Sequence, residues 1–327
     1  MSKFSRRYAR NLKPIIFGMI IVFFSAGLAC WPLIPVQAQD DNSAAIHVNS
    51  NLVMLDATVK TKSGEIMDNL KQSDFEVRED GAEQKIALFS RDELPLNVAL
   101  VLDLSDSIEP FLGPLRDAAT TALAMLKPDD QVALFTFSTD AQMVVALTKN
   151  KDSIATAISS LQGGGATNIN DGIFLAAQDF LAKAPPGRRV IILISDDVGT
   201  DAGGEGTRDI ITETIAADAS LYNLKIPGYN PTATRIYAAS IPGLVYIGKV
   251  AEASGGEIFD VPDTAHLASV FSALLERIRT RYTLGYYTSA NEFVSKPHKL
   301  DVRLVPSFGS KGRDYTVLAK GSYYFHP

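Results

Sequence analysis

The stretch NVALVLDLSDS, residues 97–107, opens as an apolar strand and closes on two acids and two hydroxyls, Asp103, Ser105, Asp106 and Ser107. Val98 to Leu102 contains no polar residue. An unbroken apolar run of this kind belongs to a strand buried on both faces, as in parallel sheets covered by helices on each side. A helix cap or a solvated turn would account for part of the polar crowding at its end. The neighbouring segments point to a further cause.

Outward from this strand the same grammar repeats. QVALFTFS (131–138) and RRVIILIS (188–195) are further apolar strands, and Glu257 to Val261 reads as a last one. Helical patterns lie between them, at about 110–126 with Leu112, Leu115, Ala119, Leu123 and Leu126 on one face, near 151–161, and near 170–183. A final helix is expected over 264–281, capped by Asp263 or Thr264 and carrying Leu267, Val270, Phe271, Leu274, Leu275 and Ile278 on one face. Strands alternating with amphipathic helices predict an α/β fold with a doubly wound, mainly parallel sheet over residues 95–281.

The flanks read differently. LVMLDATVK (52–60), the turn Lys62-Ser63-Gly64, and the turn Glu79-Asp80-Gly81 between two short strands give 47–94 an all-β character, with one helical turn near Lys71 to Asp74. After 282 the chain returns to strand patterns, Tyr282 to Tyr287 and the alternation of Leu300, Val302 and Leu304 with Asp301 and Arg303. The segment 282–327 is too short for a robust core of its own. It is expected to pair with 47–94 in a smaller β-domain.

The first 38 residues have the build of an export signal. Lys3, Arg6, Arg7, Arg10 and Lys13 precede an uncharged apolar run from Ile15 to Ala29, and Val36-Gln37-Ala38 offers a cleavage site. Residues 39–46 then read as a linker. The alternative is a retained membrane anchor, or lipidation at Cys30 in Gly27-Leu28-Ala29-Cys30. Cys30 is the one cysteine of the 327 residues, so cleavage after Ala38 leaves no thiol and moves the formal charge from −6 to −11. The expected location is extracytoplasmic: periplasm, cell envelope or secreted. Membrane contact would run only through an uncleaved or lipidated N-terminus. No basic patch lies outside the leader, which argues against nucleic acid.

In open α/β sheets ligands bind beyond the carboxyl ends of the strands. Three loops are expected there: Asp103-x-Ser105-x-Ser107, the glycine-rich GGGATNIND (163–171) with Thr167, and Ser195-Asp196-Asp197. They offer carboxylates and hydroxyls but neither His nor Cys, an oxygen set for a hard cation (Mg²⁺, Mn²⁺ or Ca²⁺) and not for zinc. This pattern resembles the metal-ion-dependent adhesion site of von Willebrand factor A (VWFA) domains over about 96–280. The flanks, with Leu70-x-x-x-Asp74-Phe75 and Arg281-Tyr282-Thr283-Leu284-Gly285-Tyr286, resemble the VWFA-related proteins of acidobacteria.

The resemblance implies that Ser105 and Ser107 coordinate the ion, with Thr167 as third direct ligand, while Asp103 and Asp196 act through bound waters. It implies a protein partner offering an Asp or Glu carboxylate to the ion, Mg²⁺ in the first place. Asp106 and Asp197 depart from the family pattern and are expected to modulate the site's charge. The function expected is a non-enzymatic adhesion or interaction module. The alternatives are an envelope scaffold with a structural or vestigial metal site, and a Mg²⁺ phosphotransferase of the haloacid-dehalogenase type. The last would need an acid where Ser105 stands. His47, His266, His298 and His326 read as structural or surface residues, and Tyr282, Tyr286, Tyr287, Tyr323 and Tyr324 as β-domain packing. Asp201, Glu205 and Asp209 read as a solvated loop and helix start. Tyr222 to Ile241 reads as a long loop near the site.

Overall fold

A strand over Leu96–Asp103 forms where the sequence places its apolar run, and its alternation partitions the core. The computed structural model describes residues 51–91, 94–200, 205–228, 242–290, 296–305 and 315–324. The leader, the linker, Cys30, His47, Asp201, residues 229–241 and His326 lie outside them. The N-terminal strands are β1 (Asn51–Thr61), β2 (Phe75–Glu79), β3 (Ala82–Gln84) and β4 (Ile86–Arg91). The α/β part begins with β5 (Leu96–Asp103), α1 (Leu112–Ala124), β6 (Gln131–Phe137), β7 (Ala141–Thr148), α2 (Lys151–Ser160) and α3 (Ile169–Lys183). It continues with β8 (Arg188–Ser195), α4 (Thr207–Ala216), β9 (Ala219–Lys225), α5 (Ile247–Ser254), β10 (Ile258–Asp260) and α6 (Leu267–Arg279). The closing strands are β11 (Tyr282–Thr288), β12 (His298–Leu304), β13 (Tyr315–Ala319) and β14 (Ser322–Tyr323).

All eight residues of β5 are buried. Because side chains alternate across a sheet, Val98, Leu100 and Leu102 face one core with Leu115, Ala119, Ile154, Phe271, Leu274 and Ile278, on α1, α2 and α6. Ala99 and Val101 face the other, with Ile173, Ala177, Phe180, Ile210 and Val250, on α3, α4 and α5. Each fully buried Leu or Ile contributes roughly 1.5–3 kcal/mol relative to exposure, so both layers are held by hydrophobic burial.

The sheet order is β10-β9-β8-β5-β6-β7. β5, β6, β8, β9 and β10 are parallel and β7 is antiparallel to β6 at the edge. The chain moves from β5 to one side, then returns to lay β8 on the other side. Strand order therefore reverses between β5 and β8, and a crevice opens at their carboxyl ends.

The flanking segments pair with each other across more than 200 residues. β1 lies between β11 and β13, and β4 completes that sheet; β2 lies between β12 and β3 in a second sheet whose other edge is β14. Their shared core includes Val53, Leu55, Val59, Phe75, Val77, Tyr282, Leu284, Tyr286, Leu300 and Tyr323. Arg188 at the start of β8 ties this part to the α/β sheet. Its guanidinium lies 3.4 Å from Asp56 Oδ1 and donates to Thr283 Oγ1 at 2.9 Å.

Several sequence expectations are corrected in detail. The helix expected over 110–126 is a 3-10 turn at Glu109–Phe111 followed by α1. The helix expected over 264–281 starts as a 3-10 turn, Thr264–His266, where Asp263 accepts from His266 N as N-cap. β7 and α5 escaped the reading because β7 is an exposed edge strand and α5 spans only eight residues. Tyr222 to Lys225 belongs to β9, with Tyr222 buried against Arg281. The loop reading fails there because the β-strand residues merge without punctuation into the Pro/Gly segment.

Candidate functional site

Asp103 ends β5 and Ser195 ends β8, so the two residues flank the crevice. Asp103 is wholly buried. Its Oδ2 accepts from Ser195 Oγ at 2.7 Å and its Oδ1 from Ser105 N at 2.9 Å. It does not cap α1, the alternative open to the sequence, since the 3-10 turn and Ile108 intervene. The Ser105 and Ser107 hydroxyls lie 3.1 Å apart. Asp196, one residue past β8, is buried as well, and its Oδ1 accepts from Val198 N at 3.1 Å.

Backbone bonds dock the glycine-rich loop onto both neighbours. Gly164 N donates to Leu104 O at 2.7 Å, and Thr200 N to Thr167 O at 2.9 Å. Thr167 N donates in turn to Thr200 Oγ1 at 2.8 Å. Thr167 is buried between these contacts. Asn168 then caps α3 by accepting from Asp171 N. Three segments distant in sequence thus meet at one sheet edge, with the hydroxyls and carboxylates of Ser105, Ser107, Thr167, Asp103 and Asp196 among them.

The two departures from the family pattern have separate roles. Asp106 is exposed, and its Oδ1 accepts from Gly165 N at 3.0 Å while its own N donates to Gly165 O at 3.2 Å. It clips the loop that carries Thr167. Asp197 sits in the left-handed region at φ +63, a backbone state that Asp tolerates better than most residues. Its carboxylate takes the side-chain amide of Asn223 and lies 3.6 Å from Lys225 Nζ. Lys225 offsets much of the charge that Asp197 would add. Neither Asn223 nor Lys225, both on β9, is visible as a site residue in the sequence.

Gly228, after β9, was also missed. A methyl group there would lie 2.2 Å from Asp196 Oδ2, so any side chain here would push the carboxylate aside. Ser195, Thr139 and Thr200 complete the polar frame, Thr139 Oγ1 accepting from Ala166 N at 3.2 Å. Ser195 adjoins Asp196 in the sequence and could have been included; Thr139 and Thr200 carried no signal.

The electrostatics fit a cation. Burial pushes the Asp103 carboxyl up to about 7 against the pull of its bonds from Ser105 and Ser195, and the charge of Asp196 adds to the rise. Burial likewise raises Asp197 to about 6, opposed by Lys225 and Asn223. Asp103 and Asp196, both buried at one crevice, call for positive charge, and hydroxyl and carboxylate oxygens suit a hard divalent ion.

The sign of the pH dependence follows. Without cation, raised carboxyls favour the folded state below the ordinary Asp value of about 3.9, and this contribution is lost as pH rises through 6–7. The melting temperature of EDTA-treated protein is expected to fall by a few degrees between pH 5 and pH 8. Saturating Mg²⁺ should reverse the trend, because the ion competes with the proton. Melts at both pH values, with and without Mg²⁺, check this.

Removing the Asp106 carboxylate should loosen the glycine-rich loop. Asp106→Ala is expected to weaken Mg²⁺ binding by roughly tenfold, about 1.4 kcal/mol. Asp106→Asn keeps an acceptor for Gly165 N and should retain most of the affinity. Calorimetric titration separates this positioning role from a charge effect, under which the two variants would behave alike.

Comparison with known proteins places the α/β part. Residues 98–199 match the family model of the von Willebrand factor type A domain. An uncharacterized protein of Synechocystis sp. is 33% identical over 131 residues, covering 39% of this chain and 31% of that protein. Inter-alpha-trypsin inhibitor heavy chain H4 of Homo sapiens is 27% identical over 218 residues, covering 62% of this chain and 22% of that protein. The matched regions are less than a third of the length of these relatives. Among solved structures, a von Willebrand factor type A protein from Catenulispora acidiphila is 13% identical with a TM-score of 0.46, covering 79% of this chain and 74% of that one.

Proposed function

We propose, from the premise that this chain contains a von Willebrand factor type A domain, that it is a non-enzymatic interaction module that captures an acidic group of a protein partner through a divalent cation. Ser105, Ser107 and Thr167 would hold the ion directly, with Asp103 and Asp196 acting through water. Mg²⁺ is the first expectation, with Mn²⁺ or Ca²⁺ as alternatives. Neutral hydroxyls next to the ion leave much of its charge unspent, so it can still attract an outside carboxylate.

The observation that supports this reading most is the buried Asp103 carboxylate, held by Ser195 and Ser105 beside Asp196 at the point where strand order reverses. The basic, apolar leader supports export to an extracytoplasmic location. Among the described residues, no helix is long and apolar enough to cross a membrane.

A pull-down from envelope extract with immobilised protein, with and without EDTA, tests the function. Capture that the chelator abolishes and Mg²⁺ restores is expected. Capture that survives the chelator would sink the cation-mediated reading and favour a scaffold working through its β-sandwich.

A further inference from the structure

A second cluster lies in the β-sandwich, apart from the crevice. Glu79 ends β2, Asp80 follows it in the turn, and β12 pairs with β2 so that Leu300 stands opposite Glu79. This register brings His298, at the start of β12, against both acids. His298 Nδ1 lies 2.8 Å from Asp80 Oδ2 and 3.5 Å from Glu79 Oε1. One ligand atom from each of the three residues falls within 4.8 Å of the others. Ligands held about 2.0–2.1 Å from a tetrahedral zinc ion stand roughly 3.3 Å apart, so small shifts would admit one.

The outer contacts are already in place. Thr288 Oγ1 donates to the Glu79 carboxylate at 2.9 Å, the Tyr323 hydroxyl donates to Glu79 Oε1, and Lys299 N donates to Asp80 Oδ1 at 2.9 Å. The His298 ring stacks on Tyr323 with centroids 5.2 Å apart. Such bonds orient the ligands of metal sites and fix their free oxygens.

Two observations favour an ion over a bare histidine–carboxylate pair. Both acids crowd Nδ1, whereas His298 Nε2 is buried with no hydrogen-bond partner. A proton on Nδ1 can serve only one of the two acids well, whereas an ion there is shared by both. Independently, the Tyr286 hydroxyl of β11 is wholly buried and without a partner. It stands two residues before Thr288, on the face of β11 that meets Glu79. It is a neutral polar group on that face, suited to meet water on a bound ion.

We infer that Glu79, Asp80 and His298 form a site for a borderline divalent cation, zinc in the first place, that clips β12 to β2. One nitrogen with two carboxylate oxygens suits zinc, whereas the crevice offers oxygen alone.

The test uses the full chain, stripped with EDTA, dialysed and returned to excess Mg²⁺, then titrated with ZnCl₂ by calorimetry and thermal melting. One equivalent of zinc should bind and raise the melting temperature. Asp80→Asn should weaken zinc binding at least tenfold while keeping the fold, because Asn tolerates the left-handed turn at φ +48 and retains an acceptor for Lys299 N. His298→Ala should do the same, and Asp103→Asn should leave zinc binding unchanged. The inference is overturned if zinc does not saturate, or if Asp103→Asn removes the response and Asp80→Asn leaves it. Absence of any Mg²⁺ response in the unsubstituted protein, with zinc binding intact, would instead count against the crevice alone.

Discussion

Alanine at Asp103 is expected to abolish the Mg²⁺-dependent rise in melting temperature, with a loss of at least about 100-fold in cation affinity, or roughly 2.7 kcal/mol. Asp103 shapes the crevice in two directions, orienting the Ser105 loop through Ser105 N and holding Ser195 at the end of β8. Its loss removes negative charge from the proposed cation site and frees the loop that carries Ser105 and Ser107. The cation-free protein should change less. The variant loses two hydrogen bonds, but it also loses a buried carboxyl that burial and Asp196 disfavour in its charged form. Melts of parent and variant across an Mg²⁺ series separate the two effects, since ligand stabilisation grows with cation concentration and an intrinsic change does not. An unchanged Mg²⁺ response in the variant would rule out this crevice as the cation site.

The second large effect is structural. Gly256 follows α5, and a Cβ there would lie 1.7 Å from Leu221 O and 2.5 Å from Leu221 C, both backbone atoms of β9. No side-chain rotation relieves such a clash, so β9 or α5 must move. Gly255 beside it holds φ +73, and a Cβ there would meet Lys320 N at 2.5 Å. The glycine pair is where α5 closes against β9 and the β-sandwich. Gly256→Ala is therefore expected to destabilise by more than about 3 kcal/mol, in the range that marks a specific steric fault. At 2–4 °C per kcal/mol for a domain of this size, the melting temperature should drop by on the order of 10 °C. Gly113→Ala provides the control. It lies in α1, its Cβ would meet nothing within 4 Å, and alanine there should be neutral or stabilising by up to about 1 kcal/mol. Equal melts for the two variants would sink the argument.

The legible part of this fold is the part encoded locally. The apolar runs of β5, β6 and β8 announce a sheet buried on both faces because a strand with no polar face has nowhere else to go. The polar ends of those strands mark candidate site residues, since fold rules place strand carboxyl ends beside one another. β7 is not legible: Met143, Val144 and Ala146 are exposed at the sheet edge and its other apolar residues are only half-buried, so burial leaves no clean signature. Asp106 stands out in the sequence by its charge, yet in the fold it holds Gly165, 59 positions away.

By itself, then, the sequence determined the layered α/β architecture, the β character of both flanks and the chemistry of the oxygen donors. Tertiary structure decided which donors are clamped, by Ser195, Thr200 and Gly228. It also paired Lys225 with Asp197 and brought His298 to Glu79 and Asp80. The physical reason is range. Periodicity and burial act within a dozen residues and leave a pattern in the chain. A hydrogen bond such as Ser195 to Asp103, across 92 residues, or Tyr323 to Glu79, across 244, depends on which surfaces pack together, and no local pattern records that.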